Sequence, residues 1–392
     1  MGPSVSCMSE TSQITPYRVQ IPQDELDDLR DRLRRTRWAP QLTGTGWERG
    51  VPTDYLRRLV DRWADGFDWR AREAELNRFP QFTTTIDGTN VHFLHVRSDV
   101  PDATPLILLH GWPGSIVEFL DLIGPLTEPV AHGGTAADAF HLVIPSLPGF
   151  GFSGPPPGTG WTDGRIAAAM VELMARLGYE RYAVQGGDVG QFVGPLMGRH
   201  APDKVIGVHV NGLLTFPSPD AAVMAALSDA DRERLDAMRR WQEQMGAYMQ
   251  VQGTRPQTIA AALHDSPAGQ LAWIVEKFKD WTDPAVDLPE EAVDLDRILT
   301  NVSIYWFTGT AGSSAHTYYE RFNDPAMWAP KERGTVPTGV AVFPNDISVR
   351  HLAEQVHDIV HWTEFERGGH FAALEAPDLL IGDIRAFFRS LG

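Results

Sequence analysis

The pentapeptide Gly186-Gly187-Asp188-Val189-Gly190 carries the strongest chemical signal in the chain. It follows the apolar run Tyr182-Ala183-Val184-Gln185 and precedes a helical stretch from Val189 to Arg199. Glycines at its two flanking small positions let a sharp strand-to-helix turn form without side-chain clash. The third residue then projects from that turn at the helix N-terminus, and it is an aspartate. A serine attacking a saturated carbon would leave an ether, which water cannot readily release. An aspartate leaves an ester, which can be hydrolysed at its carbonyl. The frame therefore points to substitution at sp³ carbon rather than cleavage of a carboxylic ester. The helix dipole favours the ionised form of Asp188. The plainer alternative is an aspartate that caps a helix at a glycine-rich turn.

Such a nucleophile needs donors for an oxyanion and a base to activate water. His110-Gly111-Trp112-Pro113-Gly114-Ser115 follows the apolar run Pro105 to Leu109. A loop there supplies one backbone N–H of an oxyanion hole, and the residue after the nucleophile supplies the other. These are the amides of Trp112 and Val189. The acid and base should follow in chain order. Asp346, in Phe343-Pro344-Asn345-Asp346, comes after one strand, and His370, in Gly368-Gly369-His370-Phe371, comes after the next. The acid orients the imidazole and stabilises its cation. With 13 histidines, His370 stands out only by position, and Glu354 and Asp358, on an expected helix, are the rivals of Asp346.

These residues need a scaffold of strands ending at one edge. Pro105–Leu109, Phe140–Pro145, Tyr182–Gln185 and Val205–Val210 read as buried parallel strands, with helices over 165–177 and 189–199 between them. That alternation implies an α/β sheet covered on both faces. Residues 1–16 read as a mobile polar tail. Residues 17–103 read as helices near 24–33 and 53–65 followed by a hairpin at Asp87-Gly88. From 214 to 336 the alternation stops in favour of aromatic-rich helices, which read as a lid inserted between core parts 104–213 and 337–392. Strands at 339–343 and 361–365 and a helix at 379–391 close the core.

Composition narrows the partners. The chain has 392 residues, 43% of them hydrophobic, and a net charge of −17. Such an acidic surface repels phosphate backbones and acidic membrane surfaces, which argues against nucleic acid. No run reaches the roughly 18–20 apolar residues of a membrane span. One cysteine, Cys7, excludes an internal disulfide framework and a multi-cysteine zinc site. Met1-Gly2 with Ser6 fits a myristoylation pattern, but Pro3 and the lack of a second anchor make it chance. No secretory signal is visible, so a cytoplasmic location is expected. Only four lysines accompany many arginines, a bias typical of a GC-rich bacterial genome. His357 and His361 have helical zinc-site spacing but lack the accompanying glutamate, and read as a chance surface pair. The glycine spacing in Gly149-Phe150-Gly151-Phe152-Ser153-Gly154 reads as a loop, because Pro148 and Pro155 bracket it. No metal or organic cofactor is required.

From about Tyr17 onward the chain resembles the microsomal-type epoxide hydrolases, which have the α/β-hydrolase fold. The motifs carrying the likeness are Arg37-Trp38 and the elbow, oxyanion, acid and histidine segments quoted above. The resemblance implies two lid tyrosines that hydrogen-bond the oxirane oxygen, falling on Tyr248 and Tyr318, with Tyr319 the rival of the second. A phenol, with a reference pKa of about 10, is protonated at neutral pH yet acidic enough to assist an alkoxide. It further implies a soluble bacterial enzyme making vicinal diols from epoxides. Val189 departs from the tryptophan common at its position, which bears on pocket shape. The aromatic lid suggests a bulky, apolar or aromatic epoxide. Similar bacterial enzymes occur in secondary metabolism, including enediyne antibiotic biosynthesis. A homo-oligomer is left open. The alternatives are a haloalkane dehalogenase with the same nucleophile, or a non-catalytic ligand receptor on this scaffold.

Overall fold

The computed structural model describes residues 13–392, so Cys7 and the Met1-Gly2 pattern lie outside the described residues. The described strands are β1 (Thr15–Tyr17), β2 (Gln81–Ile86), β3 (Thr89–Val96), β4 (Thr104–Leu109), β5 (Phe140–Pro145), β6 (Tyr182–Gly187), β7 (Val205–Asn211), β8 (Pro337–Val342) and β9 (Asp358–Glu364). They form one sheet in the order β1-β2-β3-β5-β4-β6-β7-β8-β9. Contacts from β4 through β9 are parallel, as expected, while β1, β2 and β3 extend the β5 edge antiparallel. Asp87 and Gly88 both have positive φ, so the hairpin between β2 and β3 closes on the tight turn their types allow. Leu106, Ile107, Leu108 and Leu109 of β4 are fully buried, which explains why that strand reads as a continuous apolar run.

Helices α1 (Gln23–Arg34), α2 (Thr53–Asp61) and α3 (Trp69–Leu76) precede the hairpin. Within the core run α4 (Leu120–Thr127), α5 (Asp163–Arg176) and α6 (Gly190–His200). The insertion after β7 comprises α7 (Ala221–Ala225), α8 (Asp229–Met245), α9 (Ala247–Thr254), α10 (Pro256–Asp265), α11 (Pro267–Trp281), α12 (Pro289–Ala292), α13 (Leu295–Thr308), α14 (Thr310–Phe322) and α15 (Pro325–Trp328). The chain ends with α16 (Arg350–Ala353), α17 (Ala372–Glu375) and α18 (Pro377–Ser390). None of the described helices is long and apolar enough to cross a membrane.

Several expectations need correction. Thr15 and Pro16, within the stretch expected to be a mobile tail, pair with Thr83 and Phe82 as β1, because the β2 edge offers unpaired backbone groups. The helix expected over 53–65 stops at Asp61 and continues as a π turn, Arg62–Gly66, which turns Trp63 into the core. Asp358 opens β9 rather than extending a helix. His361, expected as one of a chance surface pair with His357, is instead held within the fold. It lies on β9 and shares the Asp383 carboxylate with His209. The N-terminal segment also braces the inserted helices: Tyr55 donates to Glu290, Arg62 pairs with Asp296, and Trp63 Nε1 donates to Ser303 Oγ at 2.9 Å.

Candidate functional site

Strand order positions the site. The chain leaves β4 for β5 on one side and returns to β6 on the other, so a crevice opens where the carboxyl ends of β4 and β6 meet. Leu109 is in register with Gly186, which sets the loops after both strands against each other. A Cβ on Gly190 would lie 2.3 Å from the Leu109 carbonyl oxygen, and one on Gly111 would lie 2.1 Å from Asp188 Oδ1. Those contacts are the physical reason for glycine at both places. Asp188 itself has φ +50°, a left-handed conformation that costs a non-glycine residue about 1–3 kcal/mol.

The Asp188 carboxylate does not cap α6, which has no side-chain cap bond. Its Oδ1 instead accepts the Trp112 N–H at 2.8 Å. The following carbonyls of that loop are taken from the other side. Asn301 Nδ2 donates to Pro113 O at 2.6 Å, and Tyr305 Oη donates to Gly114 O at 2.7 Å. Both donors are on α13, one turn apart, and both are buried. His110 accepts the Leu147 N–H through Nε2. Burial lowers its pKa to about 4, so it is a neutral tether between the loops after β4 and β5. Val189, buried, precedes the first residue of α6.

Oδ2 of Asp188 faces His370 Nε2 at 3.6 Å. The two side chains keep 20% and 31% exposure, so water can reach both. His370 follows β9, and its backbone is fixed from two directions. Its N–H donates to Trp281 O at 2.8 Å, and its carbonyl accepts from Asn211 Nδ2 at 3.4 Å. Burial lowers the imidazole pKa from its usual value, against the opposing pull of Asp188 and Asp346. The ring is therefore neutral near pH 7 and able to accept a proton. Asp346 follows β8 and is held by the Ser348 N–H at 2.7 Å and its hydroxyl at 2.5 Å. Burial raises its pKa, and Ser348 together with the His370 and Arg234 charges resists the shift. The rivals face elsewhere: Glu354 pairs with Arg350, and Asp358 with Arg333.

Tyr248 (α9) and Tyr318 (α14) meet over this centre. Their ring centroids are 5.7 Å apart at 81°. Burial and the Asp188 charge raise both phenol pKa values, so both remain O–H donors. Trp112 stacks on Tyr248 at 5.1 Å, and Trp281 contacts Trp112, Tyr248 and His370. Tyr318 is 3% exposed while Tyr319 is 41% exposed, which separates the two rivals.

Sequence reading missed three contributors. Asn301 and Tyr305 are polar residues at i, i+4 spacing in an apolar helix, a readable sign of a shared partner. Glu118 lies against Gly114 beside Asp188, and burial raises its pKa to about 8, Asp188 adding to the shift. Among the described residues no group of three or more His, Cys, Asp or Glu side chains could hold a metal ion.

Residues 14–119 match the epoxide hydrolase N-terminus family, and residues 104–262 match the alpha/beta hydrolase fold family. A Stigmatella aurantiaca protein, provisionally named an epoxide hydrolase, is 45% identical over 96% of this chain and 85% of its own length. Epoxide hydrolase 1 of Sus scrofa is 34% identical over 97% of this chain and 89% of its own. The solved Aspergillus niger epoxide hydrolase superposes with a TM-score of 0.84 at 35% identity, covering 97% of each chain.

Proposed function

The chain belongs to the microsomal-type epoxide hydrolases of the α/β-hydrolase fold, and from that premise we propose that it converts an epoxide to a vicinal diol through a covalent ester on Asp188. Tyr248 and Tyr318 hydrogen-bond the oxirane oxygen. Asp188 Oδ2 forms a bond to a ring carbon as that carbon's bond to oxygen breaks, and the oxygen takes a phenolic proton. His370, oriented by Asp346, then removes a proton from water, which attacks the Asp188 carbonyl carbon. The Trp112 and Val189 amides hold the resulting oxyanion. Collapse expels the diol oxygen, which takes the proton held by His370, and the proton left on the Asp188 carboxyl returns to the phenolate, restoring both carboxylate and phenol. The observation that carries this reading is the split carboxylate: one oxygen on the Trp112 amide, the other free toward a neutral imidazole.

Residues 214–336 act as the lid that carries the two phenols, residues 17–103 brace it, and 104–213 with 337–392 supply the remaining groups. The rings of Trp112, Trp241, Tyr248 and Trp281 support a bulky apolar or aromatic epoxide. We assign such a substrate to secondary metabolism, of the antibiotic-producing kind, and the gene neighbourhood tests that assignment. One observation favours the dehalogenase reading: Trp281 Nε1 is buried with no hydrogen-bond partner among the described residues and is a donor type suited to halide. Aryl epoxides and matched haloalkanes assayed side by side for diol and halide decide between them. Diol without halide supports the epoxide reading. Halide alone overturns it, and binding without turnover leaves a receptor.

A further inference from the structure

Two buried cations lie against the rings of the tyrosine pair, and the reaction as written uses neither. Lys277 (α11) is one of four lysines in the chain, and its side chain is only 3% exposed. Its Nζ lies 4.7 Å from the Tyr248 ring centroid, with Trp273 and Trp281 at 5.8 and 6.0 Å. Its carboxylate partner is the adjacent Glu276, which is 30% exposed. Arg321 stands three residues after Tyr318 on α14, its guanidinium 5.8 Å from the Tyr318 ring and 4.2 Å from Phe192 of α6. Asp163, at the start of α5, holds it with two bonds of 2.6 and 3.0 Å, and both side chains are under 10% exposed.

A lysine is seldom buried unless something compensates. Here the compensation comes from an ion pair and from aromatic faces, whose quadrupole attracts a cation. The same attraction acts in reverse on the phenol. A positive charge on the ring face draws electron density from the hydroxyl, strengthens it as a donor and stabilises any phenolate. We propose that Lys277 and Arg321 are positioning residues that electrostatically activate Tyr248 and Tyr318 for oxirane opening. The inference rests on the reading of the two tyrosines as oxirane donors. Arg321 opposes the rise of both phenol pKa values that burial and Asp188 cause, which agrees with the geometry. The help is needed when the oxirane carbon–oxygen bond breaks and its oxygen takes the phenolic proton. Attack of water on the ester uses His370 and the backbone amides, and is largely indifferent to these cations.

The test separates the two steps. Rapid-quench single turnovers, with intact-protein mass counting the ester, give its rates of formation and decay. Lys277→Met, or Lys277→Gln should methionine not fold, removes one cation. Arg321→Met with Asp163→Asn removes the other without stranding a buried carboxylate. Each should slow ester formation roughly tenfold and leave decay within about twofold of the parent rate. Lys277→Arg, which keeps the charge, should recover most of the loss. A formation rate unchanged in the neutral variants overturns the inference, as does a parallel fall in both rates. Tyr248→Phe and Tyr318→Phe, run alongside, separate the two readings. If they slow formation and the cation variants do not, only the inference fails. If they do not, the tyrosine reading fails and the inference with it.

Discussion

Placing a methyl group on Gly111 tests the geometry of the Asp188 carboxylate. Gly111 does not have positive φ, so its backbone tolerates alanine. The added Cβ would sit 2.1 Å from Asp188 Oδ1, 2.4 Å from its Cβ and 2.6 Å from its Cγ. Ordinary contact begins near 3.4 Å, so the carboxylate must move by more than 1 Å. That movement breaks its 2.8 Å bond to the Trp112 amide. Losing one oxyanion donor costs about 10²–10³ in kcat, and a 1 Å misplacement of a reacting group about 10². Overpacking at a buried site costs about 1–3 kcal/mol of stability, which a large enzyme can survive. Gly111→Ala should therefore stay folded by circular dichroism while diol formation falls by about 10²–10³. Gly382→Ala serves as the control. Gly382 is exposed within α18 and a Cβ there meets nothing within 4 Å, so activity should stay unchanged. A Gly111→Ala enzyme with near-parental turnover would refute the placement of Asp188 against this loop.

The same control carries its own prediction: Gly382→Ala should raise unfolding stability by roughly 0.5–1 kcal/mol, because alanine loses less backbone entropy in a helix, and a denaturant midpoint that does not rise contradicts it. The His370 pKa lies below its usual value, so the neutral base persists on acidification and ester hydrolysis is lost only as pH falls through that lowered pKa. An acid limb of the single-turnover decay rate at or above the ordinary histidine value of 6.5 would count against it. Burial depresses the pKa of His92 to about 3 and of His110 to about 4, so both must remain neutral in the folded chain. Their contribution is present above the unfolded value of 6.5 and fades as pH falls, by about 2 kcal/mol each between pH 7 and 5. Chemical denaturation at the two pH values should show a slope that His92→Gln flattens by about 2 kcal/mol, and an unchanged slope would remove His92 from the account.

Much of this arrangement was legible because local chemistry and topology agree. Gly186 and Gly190 are dictated by close backbone approach, to Gly190 at 2.8 Å and to the Leu109 carbonyl oxygen at 2.3 Å, and the Asp-Gly hairpin by its own φ values. The order of Asp188, Asp346 and His370 follows from three strands ending at one edge of the sheet. Tertiary pairing was not legible. Choosing Tyr318 over Tyr319 requires knowing which face of α14 turns inward. Asp163 and Arg321 are 158 residues apart, and nothing local announces that they meet. Asp358 hides the first residues of β9, which reads as a strand only from His361, because its partner Arg333 comes from outside the strand. The Thr15 strand forms only because β2 presents a free edge.

A single turnover in ¹⁸O-labelled water tests the central claim most directly. With enzyme in excess over an epoxide substrate, the water oxygen should appear in the peptide that contains Asp188, and the first diol released should carry none. Label found in the diol, with the Asp188 peptide unlabelled, would mean that water attacks the epoxide directly and that no ester forms.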